Sequence, residues 1–254
     1  MAFDVADSYG RFMGRYSEPL AVTFAQWCGV QPGHEVVDVG CGPGALTAVL
    51  ADLVGRDHVV AADPSAPFVE AARRRLPGVR VEVAPAEDLP FDDDVADVAV
   101  AQLVVHFMTD PVAGLREMAR VVRPGGHVAA CVWDFGGGRA PLSTFWQAAL
   151  EVDGATVDES HLAGAREGDL ARLCEEAGLV DVEPGEVSVR LAFDSFEQWW
   201  EPYTLGVGPA GDHVARLDEA GVVRLREACR ALLPAPPFET TVWAWAVRAR
   251  VAAR

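Results

Sequence analysis

Between residues 35 and 133 the chain alternates short, continuously apolar runs with segments whose apolar residues recur at helical spacing. The runs are "EVVDVG", "HVVAAD", "VRVEVA", "VADVAVAQ" and "HVAACVW". Between them lie "ALTAVLADLVG", closed by Gly55, "APFVEAARRRLPG", ended by Pro77 and Gly78, and "PVAGLREMARVVRPGG". Strands apolar on both faces are covered by helices on both sides, and strands joined through helices pair in parallel. The pattern predicts an α/β fold with a doubly wound, Rossmann-like sheet. Ligands of such sheets sit at the carboxyl ends of the strands.

Downstream the rhythm changes. "DLARLCEEAGLVDV" reads as a helix stopped at Gly178 and leading into a strand. "GEVSVRLAF" and "TTVWAWAVRARV" alternate with period two, as antiparallel strands wetted on one face do. Added to one edge, they give a mainly parallel, seven-stranded sheet with an antiparallel edge. Residues 194–237 between them read as a helical cap rich in aromatics, including Trp199, Trp200 and Tyr203. The expected organisation is one domain over residues 1–254. N-terminal lid helices occupy 1–30, the ligand-binding core 31–133, and the capped C-terminal strands 134–254.

Composition narrows the partners. The formal net charge is −17, which repels nucleic acid and anionic membrane. All 21 basic residues are arginine, so Schiff-base chemistry and a P-loop lysine are excluded. Lysine, isoleucine and asparagine are all absent, as a GC-rich bacterial genome would produce. The five cysteines are odd in number and widely spaced, with no CxxC. Reduced cytoplasmic thiols fit better than disulfides or a zinc site. The start, "MAFDVADSYGRF", has neither the basic nor the apolar region of a signal peptide. The expectation is a cytoplasmic chain without membrane or metal, a monomer or homodimer acting on a small molecule.

The chemistry centres on "VVDVGCGPGALTAVLADL". Gly40, Gly42 and Ala45 satisfy the GxGxxA dinucleotide fingerprint. The same residues, with Asp38 and Gly44, satisfy the D-x-G-x-G-x-G pattern of S-adenosylmethionine enzymes. Asp63, about twenty residues on, can hold ribose hydroxyls in either case. The glycine turn alone leaves both open. Asp38 tips the balance: beside a pyrophosphate its charge repels, whereas beside an amine and a sulfonium it attracts. Little chain also remains for the separate substrate domain that a dehydrogenase usually needs.

Further segments carry a resemblance. "YGRFMGRYSEPLA", "VVDVGCGPG", "VVAADPS", "AEDLPFDDDVADVAVAQLVVHF", "LREMARVVRPGGHVAACVW" and "LCEEAGLVDVE" stand in this order. From about residue 8 to 254 the chain resembles the class I S-adenosylmethionine-dependent methyltransferases. It is most similar to the bacterial group that includes ubiquinone/menaquinone-type C-methyltransferases and many natural-product methyltransferases. The resemblance implies methyl transfer to a small-molecule acceptor in secondary metabolism, releasing S-adenosylhomocysteine, with no metal.

It also implies roles. Asp38, Gly40, Cys41, Gly42 and Gly44 form the floor under the methionine part of the cofactor. Asp63 and Pro64 meet the ribose. Ala86 and Glu87 approach the adenine, although Pro85 stands where relatives most often carry the Asp that binds its amino group. Gln102 and Leu103 lie against the cofactor near the reacting methyl. Tyr9 and Arg15 belong to a lid, where an arginine fork suits a carboxylate. His106 is the candidate general base. Trp133, Trp200 and Tyr203 are candidates for an aromatic acceptor pocket. Each of these side chains also has a plain packing or solvent-facing reading. The remaining functional alternatives are an NAD(P)-dependent oxidoreductase, and a lyase or non-catalytic binder of S-adenosylmethionine on the same fold.

Overall fold

The computed structural model describes residues 13–155, 157, 159–206 and 208–253. One sheet contains β1 (Val36–Val39), β2 (Val59–Asp63), β3 (Arg80–Val83), β4 (Ala96–Gln102), β5 (Val122–Trp133), β6 (Val180–Phe193) and β7 (Phe238–Arg250). Its order is β3-β2-β1-β4-β5-β7-β6. Strands β1 to β5 pair in parallel, and β7 lies antiparallel to both β5 and β6. The chain reverses direction across the sheet between β1 and β4, which is where doubly wound folds open a ligand crevice.

Strand alternation divides the core into two layers. Val36, Val98, Val100, Ala129 and Cys131 join α1 (Arg15–Cys28), α2 (Ala45–Val54) and α3 (Ala66–Arg75) on one face. Val37, Val39, Ala99, Ala101, Val128 and Ala130 face α4 (Pro111–Val121) on the other. Two further helices are α5 (Ser143–Asp153) and α6 (Asp169–Glu176), and α6 packs on the α4 side. Between β6 and β7 come α7 (Phe196–Trp200), a 3₁₀ turn (Glu201–Leu205), α8 (Gly208–Arg216) and α9 (Glu219–Leu232). These helices bury a third cluster with α5, built from Phe145, Trp199, Trp200, Tyr203 and Leu225. Trp133 pairs with Ala244, so the start of β7 and the cluster beside it lie at the carboxyl end of β5.

Two details differ from the sequence pattern. The separate "VDV" and "GEVSVRLAF" runs form one strand, β6, with a register irregularity between Val180 and Glu183. Helix α5 carries no clear sequence signal. Its start at Leu142 makes no side-chain cap. It is apolar on more than one face: Phe145, Trp146, Ala148 and Ala149 enter the cap core, and Leu150 lines a cavity.

Candidate functional site

The turn after β1 is built by hydrogen bonds that leave little freedom. Gly40 and Cys41 donate their backbone N–H groups to the Ala62 carbonyl at 2.7 and 3.0 Å. Gly42 N–H donates to Asp63 Oδ2 at 2.9 Å, and Gly44 N–H to the Cys41 carbonyl. Gly40 has φ +70°, and a Cβ there would meet the Val104 methyls at about 2.4 Å. A side chain at Gly40 is therefore excluded by both backbone conformation and packing. Gly44 serves α3: its Cβ would stand 3.0 Å from Leu76 Cδ1.

The two carboxylates of this region are buried. Asp38 accepts the Thr47 hydroxyl at 2.6 Å. Burial lifts its pKa to about 7 despite that bond, and the nearby Asp63 charge adds to the rise. Asp63 also sits above the ordinary carboxylate range because of burial, opposed by N–H groups from Ser65 and Gly42. A cavity of about 350 Å³ opens beside both carboxylates. It is lined by Asp38, Gly40, Cys41, Gly42, Asp63 and Pro64, and from β4 by Gln102 and Leu103. Among the described residues its wall contains these two acids and no basic side chain.

The β4 end supplies a strained edge. Leu103 lies in the left-handed region with φ +61°, and its N–H is tied to the Cys131 carbonyl at 2.8 Å. Such a conformation costs a non-glycine residue on the order of 1–2 kcal/mol and persists only where the surroundings fix it. Gln102 donates to the Ser17 carbonyl, linking α1 to the cavity, while its Oε1 is buried without a partner. His106 follows on a 3₁₀ turn (Val105–Phe107). Its ring lies against Phe107 and edge-on to Phe135, with Nδ1 buried and unpartnered. Burial lowers its pKa to about 4. It does not line the cavity, although its neighbours Val104 and Phe107 do.

Several expected site residues lie elsewhere. Arg15 turns to the cap, donating to the Gln198 carbonyl at 3.0 Å with its guanidinium over the Phe193 ring. Gly44 packs against α3 outside the cavity lining. Ala86 is buried against the α4 side, and Glu87 accepts the Asp110 N–H at 3.1 Å, so neither lines the cavity. Trp133, Trp200 and Tyr203 do not form an aromatic pocket. Trp133 is in the sheet core, and Trp200 and Tyr203 are in the cap core, with Tyr203 hydrogen-bonded to Tyr16. Large rings at these positions exclude water from apolar junctions. Tyr9 lies outside the described residues. The reading missed Ser17, Phe68, Val104 and Phe107, which do line the cavity. Phe68 lies just past "DPS", and Phe107 is 75% exposed despite its size; the "HF" pair after β4 was its available signal.

Residues 37–130 match the family described as "Methyltransferase domain". The demethylmenaquinone methyltransferase of Clavibacter sepedonicus is 42% identical over 102 residues, 39% of this chain and 41% of that protein. The chain thus spans well under half the length of the curated relatives it first matches. The phosphoethanolamine N-methyltransferase 2 of Haemonchus contortus superposes with a TM-score of 0.59 at 16% identity, covering 98% of this chain and 57% of that one. The [4+2]-cyclase SpnF does so at 0.55 and 19%, covering 93% and 81%. The fold is therefore shared by a methyltransferase and a cyclase. The strand order is that of the solved structures it superposes on, and the glycine turn falls within the matched segment. Among the described residues no helix is long and apolar enough to cross a membrane.

Proposed function

We propose that the chain transfers a methyl group from S-adenosylmethionine to a small-molecule acceptor. One observation carries the choice of cofactor: among the described residues the cavity at the switch point is walled by two carboxylates and no cation. A pyrophosphate there would meet Asp38 and Asp63, with the turn's own N–H groups already donated to protein oxygens. A ligand bearing an amine and a sulfonium restores the charge that burial suppresses on Asp38. The volume lies within the range of small-molecule sites. The matched family and the demethylmenaquinone methyltransferase relative support the same reading.

The residues divide the work. Asp63 accepts the ribose hydroxyls with the lone pairs it does not give to Gly42 and Ser65. Phe68 and Phe107 offer aromatic faces to the adenine, in place of Ala86 and Glu87. Asp38 and the Gly40–Gly42 backbone hold the amino-acid end, while Gln102 and Leu103 define the reacting edge. The bound cofactor supplies an activated methyl, taken by the acceptor in an in-line displacement. Alignment and exclusion of water are then the protein's main contributions. His106, neutral above about pH 5, takes a proton where the acceptor must lose one. The acceptor side, beyond residue 130, lies outside the matched family segment; a natural-product acceptor fits its apolar walls.

Mass spectrometry of the purified chain with S-adenosylmethionine and a cell extract tests this. S-adenosylhomocysteine with an extract metabolite heavier by one methylene is expected. Methylthioadenosine from the cofactor alone indicates a lyase, and overturns the proposal.

A further inference from the structure

Asp38 stands in β1 opposite Ala61 of β2 and Val100 of β4. Two residues further along those neighbours come Asp63 and Gln102, each the last residue of its strand. Val36, Ala61 and Val100 belong to the core layer that carries α1, α2 and α3. Strand alternation therefore puts Asp38, Asp63 and Gln102 on that same face. Asp38 lies between Asp63 on one side and Gln102 on the other, and all three line the cavity. A ligand with its ribose at Asp63 and its reacting edge at Gln102 and Leu103 carries its sulfur past Asp38. This placement rests on the methyl-transfer reading above.

The partners of both carboxylates are neutral. Asp38 accepts the Thr47 hydroxyl at 2.6 Å, and Asp63 accepts the N–H groups of Gly42 and Ser65 at 2.9 and 2.8 Å. The two acids are 1% and 7% exposed, so water and salt screen them little. Burial and the neighbouring Asp63 charge both oppose ionisation of Asp38. A positive charge close by reverses that opposition.

S-adenosylmethionine and S-adenosylhomocysteine share the adenosine, the ammonium and the carboxylate, and differ at sulfur. In the transfer, the acceptor's electron pair forms the new bond to the methyl carbon. The carbon–sulfur pair returns to sulfur as a lone pair, so the sulfonium becomes a neutral thioether. The positive charge passes to the acceptor and leaves with the proton it gives up.

We propose that Asp38 discriminates the charged cofactor from its neutral product, so that methyl transfer itself loosens the hold on S-adenosylhomocysteine. Asp38 acts through space and needs no contact with the sulfur. Opposite charges about 7 Å apart, at an effective dielectric of about 20, change affinity by more than tenfold.

Titration calorimetry of the full chain at pH 8 tests this with three probes. They are S-adenosylmethionine, S-adenosylhomocysteine, and sinefungin, in which a protonated amine on carbon replaces the methylated sulfur. S-adenosylmethionine and sinefungin should each bind at least tenfold more tightly than S-adenosylhomocysteine. In Asp38→Asn the three should bind within threefold of one another, whatever the overall affinity. A residue that only supports the turn would weaken all three together and keep their ratio. Equal binding of the three probes by the parent overturns this proposal alone, however the variant folds, and leaves the methyl-transfer reading in place. A variant that keeps the parent's ratio also overturns it. Binding of none of the probes overturns the methyl-transfer reading and this proposal with it.

Discussion

Thr47 donates its hydroxyl to Asp38 across 2.6 Å, joining the first turn of α2 to the end of β1 inside the core. Both side chains are almost fully buried, at 0% and 1% exposure. The bond favours the ionised carboxylate, so it holds the Asp38 pKa lower than burial alone would set it. Thr47→Val, nearly the same shape, should destabilise the chain by about 1–3 kcal/mol. The loss should be larger at pH 8, where Asp38 is ionised, than at pH 6. Thermal melts at the two pH values check this.

Cofactor affinity should depend on pH through Asp38. Below about pH 7 the carboxyl is mostly protonated in the free protein and no longer attracts a cation. S-adenosylmethionine should therefore bind more weakly at pH 6 than at pH 8, and Asp38→Asn should flatten the dependence. The stability effect has the opposite sign. With its folded pKa raised from 3.8 to about 7, Asp38 makes the free protein less stable as pH rises through that window. Titration calorimetry and melts across pH 5–8 separate the two effects.

Asp63→Asn should weaken S-adenosylhomocysteine binding at least tenfold, about 1.4 kcal/mol. Asparagine keeps one oxygen for the Gly42 or Ser65 N–H but loses the charge that a ribose diol prefers. Unchanged affinity removes Asp63 from the ribose site.

Much of the cofactor side was legible because its signals are local. Asp38, the glycine spacing and Asp63 follow from strand ends and turn chemistry within 26 residues, and the structure brings them to one cavity. The five parallel strands followed from continuous apolar runs. The roles of the aromatic residues were hidden for a physical reason. Trp133, Trp200 and Tyr203 look alike in sequence whether they line a pocket or fill a core, and long-range packing put them in cores. Arg15 was misjudged because the cap residues it meets, Phe193 and Gln198, lie nearly two hundred positions away.

Tyr203→Phe checks the core assignment. Loss of the hydroxyl bond to Tyr16 should cost about 1 kcal/mol and lower Tm by about 2–4 °C. Cofactor affinity should not change. A variant that loses affinity for any ligand while keeping its Tm returns Tyr203 to a binding role.

His106→Ala should reduce turnover with near-normal cofactor binding. Because burial lowers its pKa to about 4, His106 should contribute no acid limb near pH 6.5 to the rate profile. Normal turnover in the variant removes it as the base.

Under the proposed function the acid-walled cavity takes S-adenosylmethionine and not a dinucleotide. Titration of the full chain with S-adenosylhomocysteine and, separately, NADH tests it most directly. Saturable binding of S-adenosylhomocysteine, weakened in Asp63→Asn, and no measurable heat with NADH are expected. Tight NADH binding with none of S-adenosylhomocysteine contradicts it.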